Sequence, residues 1–80
     1  MELTKLIAKR TQQLLKERKW KQYKLARLGA IPCSTLSYIL NGKVKSISTE
    51  TLLNICRGFN IELNEFFNNE MFAFENISDN

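Results

Sequence analysis

The residues able to do covalent chemistry are few and badly placed for it. The chain has no histidine, and its one aspartate is Asp79, near the end. Serine hydroxyls and the thiols of Cys33 and Cys56 are present, but none has a plausible partner base, so an enzyme is not expected. The two cysteines are far apart, and neither the spacing of a metal site nor a disulfide framework is present. Both read as reduced thiols, and no metal or other cofactor is expected. What remains is recognition by charge and small polar groups. Eleven of the twelve Lys and Arg residues fall at or before Ser48, with only two of the eight acids. The chain is thus +9 up to Ser48 and −5 after it. Such polarisation offers one basic surface to a polyanion. A merely solvated basic face is the plainer alternative, and charge alone does not choose between them.

The elements that would position these groups follow from hydrophobic period and punctuation. Eighty residues make one small domain with a modest core. A hydrophobic share of 44% is too high for a disordered tail. No apolar run reaches the length of a membrane span, and the opening MELTKLIAKR has no signal-peptide core. A cytoplasmic protein without membrane contact is therefore expected. Leu3, Leu6, Ile7, Leu14 and Leu15 recur at helical steps and predict a first helix over residues 2–18. Trp20 is expected to follow as a core anchor. A short second helix covers 22–28, with Leu25, Ala26 and Leu28 on its inner side. Residues 29–32 form a turn, and Pro32 suits the start of a third helix ending near Leu40. Asn41 and Gly42 end that helix, as residues that tolerate a left-handed backbone. Ser48 caps a fourth helix, with Glu50 complementing its dipole, and a fifth covers 63–68. Residues 69–80 form a tail whose Met71, Phe72, Phe74 and Ile77 are apolar enough to pack on the body or on a second subunit.

The third helix has two faces. Leu36, Ile39 and Leu40 point one way, and Cys33, Ser34, Ser37 and Tyr38 the other. A short helix that buries one face and presents small polar groups on the other, behind a tight turn, is what a helix-turn-helix requires. The runs Gln22-Tyr23-Lys24-Leu25-Ala26, Ala30-Ile31-Pro32 and Ser34-Thr35-Leu36-Ser37-Tyr38-Ile39-Leu40-Asn41-Gly42-Lys43 resemble the Cro/cI-type (XRE, lambda-repressor-like) helix-turn-helix family. Thr51-Leu52-Leu53-Asn54-Ile55-Cys56 and Ile61-Glu62-Leu63-Asn64-Glu65-Phe66-Phe67 resemble its fourth and fifth helices. The likeness covers residues 10–67, and it is the ordered set that makes it specific.

The resemblance implies an all-α, compact five-helix lambda-repressor-like domain over residues 1–68, with the helix-turn-helix formed by the second and third helices. It implies a transcriptional regulator, a repressor, that binds double-stranded operator DNA as a homodimer on a palindrome. Cys33, Ser34, Ser37 and Tyr38 match the positions that reach bases. Gln22, beside Lys21, matches the phosphate contact at the start of the second helix, and Asn41, Lys43 and Lys45 match the phosphate-gripping loop. The chain departs from the family at three places. Lys21 replaces a capping Ser or Thr, Pro32 replaces a capping Ser, and Ala30 replaces a turn Gly. An alanine at positive φ costs ~1 kcal/mol relative to glycine, which favours a shift of the turn toward Gly29. Two other functions fit parts of the pattern. An antitoxin-like module could seat a protein partner on the apolar tail, and a basic first helix could lie on an anionic membrane surface.

Overall fold

The apolar period of the first eighteen residues folds as one long helix, α1 (Leu3–Arg18). The computed structural model describes residues 1–78. Four further α-helices follow among them: α2 (Gln22–Leu28), α3 (Cys33–Leu40), α4 (Thr49–Phe59) and α5 (Leu63–Phe67). Two single 3-10 turns, Glu70–Phe72 and Phe74–Asn76, close the described chain. The protein is all-helical, with α2 and α3 forming the helix-turn-helix. Asp79 lies outside the described residues.

The stripe on each helix meets in one core. Leu25, Leu36, Ile55, Phe59 and Phe66 are completely shielded, with Ile7, Leu14 and Leu40 around them. α2 packs on α4, and α3 on α1 and α2. The reason α2 and α4 approach closely is glycine. A Cβ on Gly29 would fall 2.5 Å from the Asn54 carbonyl oxygen, and one on Gly58 would fall 3.1 Å from the Gly29 nitrogen. No other residue at either position leaves that contact intact.

This corrects the expected turn. Gly29 is right-handed (φ −93°), and Ala30 takes the left-handed conformation (φ 54°). Glycine at 29 serves the helix contact, so the strain stays with Ala30. The same closing device ends the first four helices. Lys19, Ala30, Gly42 and Asn60 all have φ between 54° and 68°. The residue after each donates back to a carbonyl five positions earlier: Trp20 to Leu15, Ile31 to Ala26, Lys43 to Tyr38 and Ile61 to Cys56, all at 2.8–3.0 Å. These bonds satisfy carbonyls that a helix end leaves open.

Two leucines expected in the core, and a third at the start of α5, lie mostly outside it. Leu3, Leu28 and Leu63 are each nearly half exposed. Each sits at the end of a helix, where the stripe runs past its partner. On α2, Gly29 takes the inner place beside Leu25 and Ala26. Trp20 is a cover on the core's edge rather than an interior anchor. Its ring stacks on Phe59 at 5.6 Å, and Lys24 Nζ stands 4.7 Å from the ring centre.

The last segment returns to the first. Phe72 packs edge-on against Phe67 (4.8 Å) beside Phe66, whereas Phe74 is almost fully exposed. The Ser78 amide donates to the Met1 carbonyl at 3.0 Å, and Glu2 and Ser78 form a parallel bridge. Among the described residues, no helix is long and apolar enough to cross a membrane.

Candidate nucleic-acid interface

α3 is short, so its orientation depends on its braces. Leu36, Ile39 and Leu40 are buried on α1 and α2. From α1, Gln12 Nε2 donates to the Leu40 carbonyl at 2.8 Å, holding an end carbonyl that the helix itself cannot satisfy. Gly42, at φ 68°, then turns the chain out of the helix into the loop over residues 43–47. With the inner face fixed, the outer face is determined. Cys33, Ser34 and Tyr38 are exposed, Tyr38 at 57%, and Ser37 is half-buried. Asn41 Nδ2 donates to Ser37 Oγ at 3.3 Å, tying the helix face to the loop that follows. Asn41, Lys43 and Lys45 are all exposed on that loop.

Lys21 and Gln22 stand exposed at the other end of the pair, where α2 begins. Exposed Tyr23 is beside them and was not singled out by sequence reasoning. The helix starts divide by charge. Neither α2 nor α3 has a side-chain cap or an acid in its first turn. α4 has Ser48 accepting from the Thr51 amide at 3.0 Å, with Glu50 in the first turn. α5 has a capping box of Glu62 and Glu65, and each 3-10 turn carries an acid. The positive ends of α2 and α3 are thus left uncompensated on the element pair with the polar outer face. α1 likewise has no acid in its first turn, but its N-cap residue is Glu2, whereas Lys21 and Pro32 stand at the starts of α2 and α3.

Not all of the basic first half belongs to this surface. Arg10 donates to the Phe66 carbonyl (2.7 Å) and the Glu65 carbonyl (3.0 Å). Arg18 donates to the Phe59 carbonyl and lies over the Trp20 and Phe59 rings. Both arginines hold the C-terminal ends of later helices, as cations do well at that end of the dipole. The lysines of α1 are different. Lys5, Lys9 and Lys16 are exposed, and Lys5 and Lys9 border the groove beside Asn41 and Gly42. Their spacing was visible in the sequence, but their nearness to the end of α3 was not.

The thiols differ as well. Cys33 is exposed at the start of α3. Cys56 is buried in the core, and that burial pushes its thiol pKa up. Among the described residues, no three His, Cys, Asp or Glu side chains come together to hold a metal ion.

The profile of the Cro/C1-type HTH DNA-binding domain matches residues 10–70. No curated protein and no solved structure matches the chain.

Proposed function

The chain belongs to the Cro/C1-type helix-turn-helix DNA-binding family, and on that premise we propose that it is a sequence-specific repressor of transcription. In this reading α3 enters the major groove of double-stranded DNA. Cys33, Ser34, Ser37 and Tyr38 meet base edges. Lys21, Gln22, Asn41, Lys43 and Lys45 hold the phosphates on either side. Two copies bind a palindromic operator, one per half-site.

The observation that supports it is the division of α3. Three large apolar side chains are sunk in the core, while the opposite face presents two serines, a cysteine and a tyrosine with no long charge among them. Small side chains let the helix approach closely. The serine hydroxyls donate or accept, and the tyrosine ring can touch a thymine methyl. Such contacts discriminate less sharply than an Arg–guanine pair, so DNA shape carries part of the specificity.

The test is fluorescence anisotropy of labelled duplexes from the gene's own upstream region, against scrambled duplexes, over a salt series. One native duplex is expected to bind far more tightly than the scrambled set, with affinity falling steeply with salt as counterions are released. Ser37→Ala and Tyr38→Ala are expected to lower the preference for that duplex by roughly 5-fold or more each, on the scale of one lost base contact. Equal weak binding to every duplex would remove the recognition role of α3.

A further inference from the structure

We propose that the first half of α1 carries a second phosphate-binding surface, continuous with the loop after α3, in which Lys5 and Lys9 take the DNA backbone beside Asn41 and Lys43. The proposal rests on the duplex-binding reading above and extends its footprint beyond the helix-turn-helix pair. Lys5, Lys9, Gln12 and Lys16 recur at steps of four, three and four, so they form one line along α1. All four are exposed. The line runs against the end of α3, since Gln12 binds the Leu40 carbonyl there. A Cβ on Gly42 would lie 3.8 Å from Lys5 Cγ and 3.9 Å from its Cε, so the Lys5 stem runs beside Gly42. Lys5, Lys9 and Gln12 on one side, and Asn41 and Gly42 on the other, wall a single shallow groove.

In the free protein this arrangement is unfavourable. Lys5 occupies the first turn of α1, where the dipole opposes a cation and the only acid is the N-cap Glu2, which makes no side-chain cap hydrogen bond. Lys5 and Lys9 are like charges four residues apart, which repel on a helix. The arginines of the same helix are engaged with backbone carbonyls, whereas these lysines face solvent. A polyanion laid along the groove reverses both penalties. Duplex DNA is the occupant because Asn41, already proposed to hold phosphate, is itself a wall of the groove, and exposed Lys43 follows it two residues on.

The experiment uses the full chain, the native duplex and a scrambled duplex, over the same salt series. Lys5→Gln and Lys9→Gln are each expected to flatten the slope of log affinity against log salt by about 0.9. Each is expected to weaken native and scrambled duplexes by the same several-fold factor, leaving the preference unchanged. Arg57→Gln, in the cleft between α4 and α5 with Glu62 and Glu65, is expected to leave the slope as it was. Both lysine variants should melt no lower than the parent, because each relieves a repulsion. An unchanged slope in both, while Lys43→Gln still flattens it, would overturn the α1 surface and leave the α3 reading standing. Equal flattening by Arg57→Gln would also overturn it, as an effect of net charge alone. Failure of the parent chain to bind any duplex would be a failure of the α3 reading itself.

Discussion

Ala30 bears a backbone conformation that glycine adopts without cost, next to a glycine that does not use it. The reason lies in Asn54, whose carbonyl leaves no room for a Cβ at position 29. Two substitutions should therefore move stability in opposite directions. Ala30→Gly is expected to stabilise by about 0.5–1 kcal/mol, the left-handed penalty less the entropy that glycine adds to the unfolded chain. Gly29→Ala forces apart two packed helices and is expected to cost roughly 1–3 kcal/mol. Thermal or denaturant unfolding of the two variants reads both signs. The turn was misjudged from the sequence because local rules ask which residue accepts a positive φ. They do not show that a helix more than twenty residues onward has claimed the glycine. The thiols make a second pair. A thiol reagent is expected to modify one cysteine per folded chain, Cys33, and to reach Cys56 only in denaturant, with mass spectrometry giving the sites. The raised Cys56 pKa also has a sign for stability. The folded state disfavours its thiolate, so this contribution is intact below the ordinary thiol range and is lost as pH rises from that range through the raised folded value.

At the scale of the element, most of the fold was legible. Glycine, proline, Asn41 and the capping Ser48 punctuate the chain, and the starts and ends of α2 and α3 coincide with those marks. Ser48→Ala is expected to cost about 1 kcal/mol, because the Thr51 amide loses its acceptor. The use of charge was less legible. Arg10 and Arg18 look in the sequence like two more members of a basic face, but their partners lie 56 and 41 residues away in the chain. Nothing in their spacing signals a carbonyl at the end of a distant helix. The distinction is measurable. Arg10→Met leaves the ends of α5 without their donor and is expected to destabilise by about 1–3 kcal/mol. Its salt slope on DNA is expected to stay that of the parent, the reverse of the Lys5 and Lys9 variants. The candidate base-contacting face was readable because a short helix with one buried side fixes the direction of the other.

The whole molecule measures 33 × 23 × 21 Å, and the eight residues of α3 span about 12 Å. That length is comparable to the width of the major groove, about 12 Å, so one copy can read only one half-site. The proposed two-fold arrangement follows from this economy of size. A duplex with both half-sites is expected to take two copies, seen as a doubling of bound mass in sedimentation. A duplex keeping one half-site should take one copy, more weakly.

The meeting of Met1 with Ser78 makes the described backbone almost a ring. A linker of a few residues could join its ends without stretching either, and the join would border the groove that Met1 shares with Lys5, Lys9 and Asn41. A cyclised chain cannot fray from its ends, and its unfolded ensemble is smaller, so it should unfold at a higher temperature. It would also fix the start of α1 permanently beside the groove that Lys5 and Lys9 border. DNA affinity that survives ring closure unchanged would then mean that the linear chain already holds that helix in the geometry DNA meets.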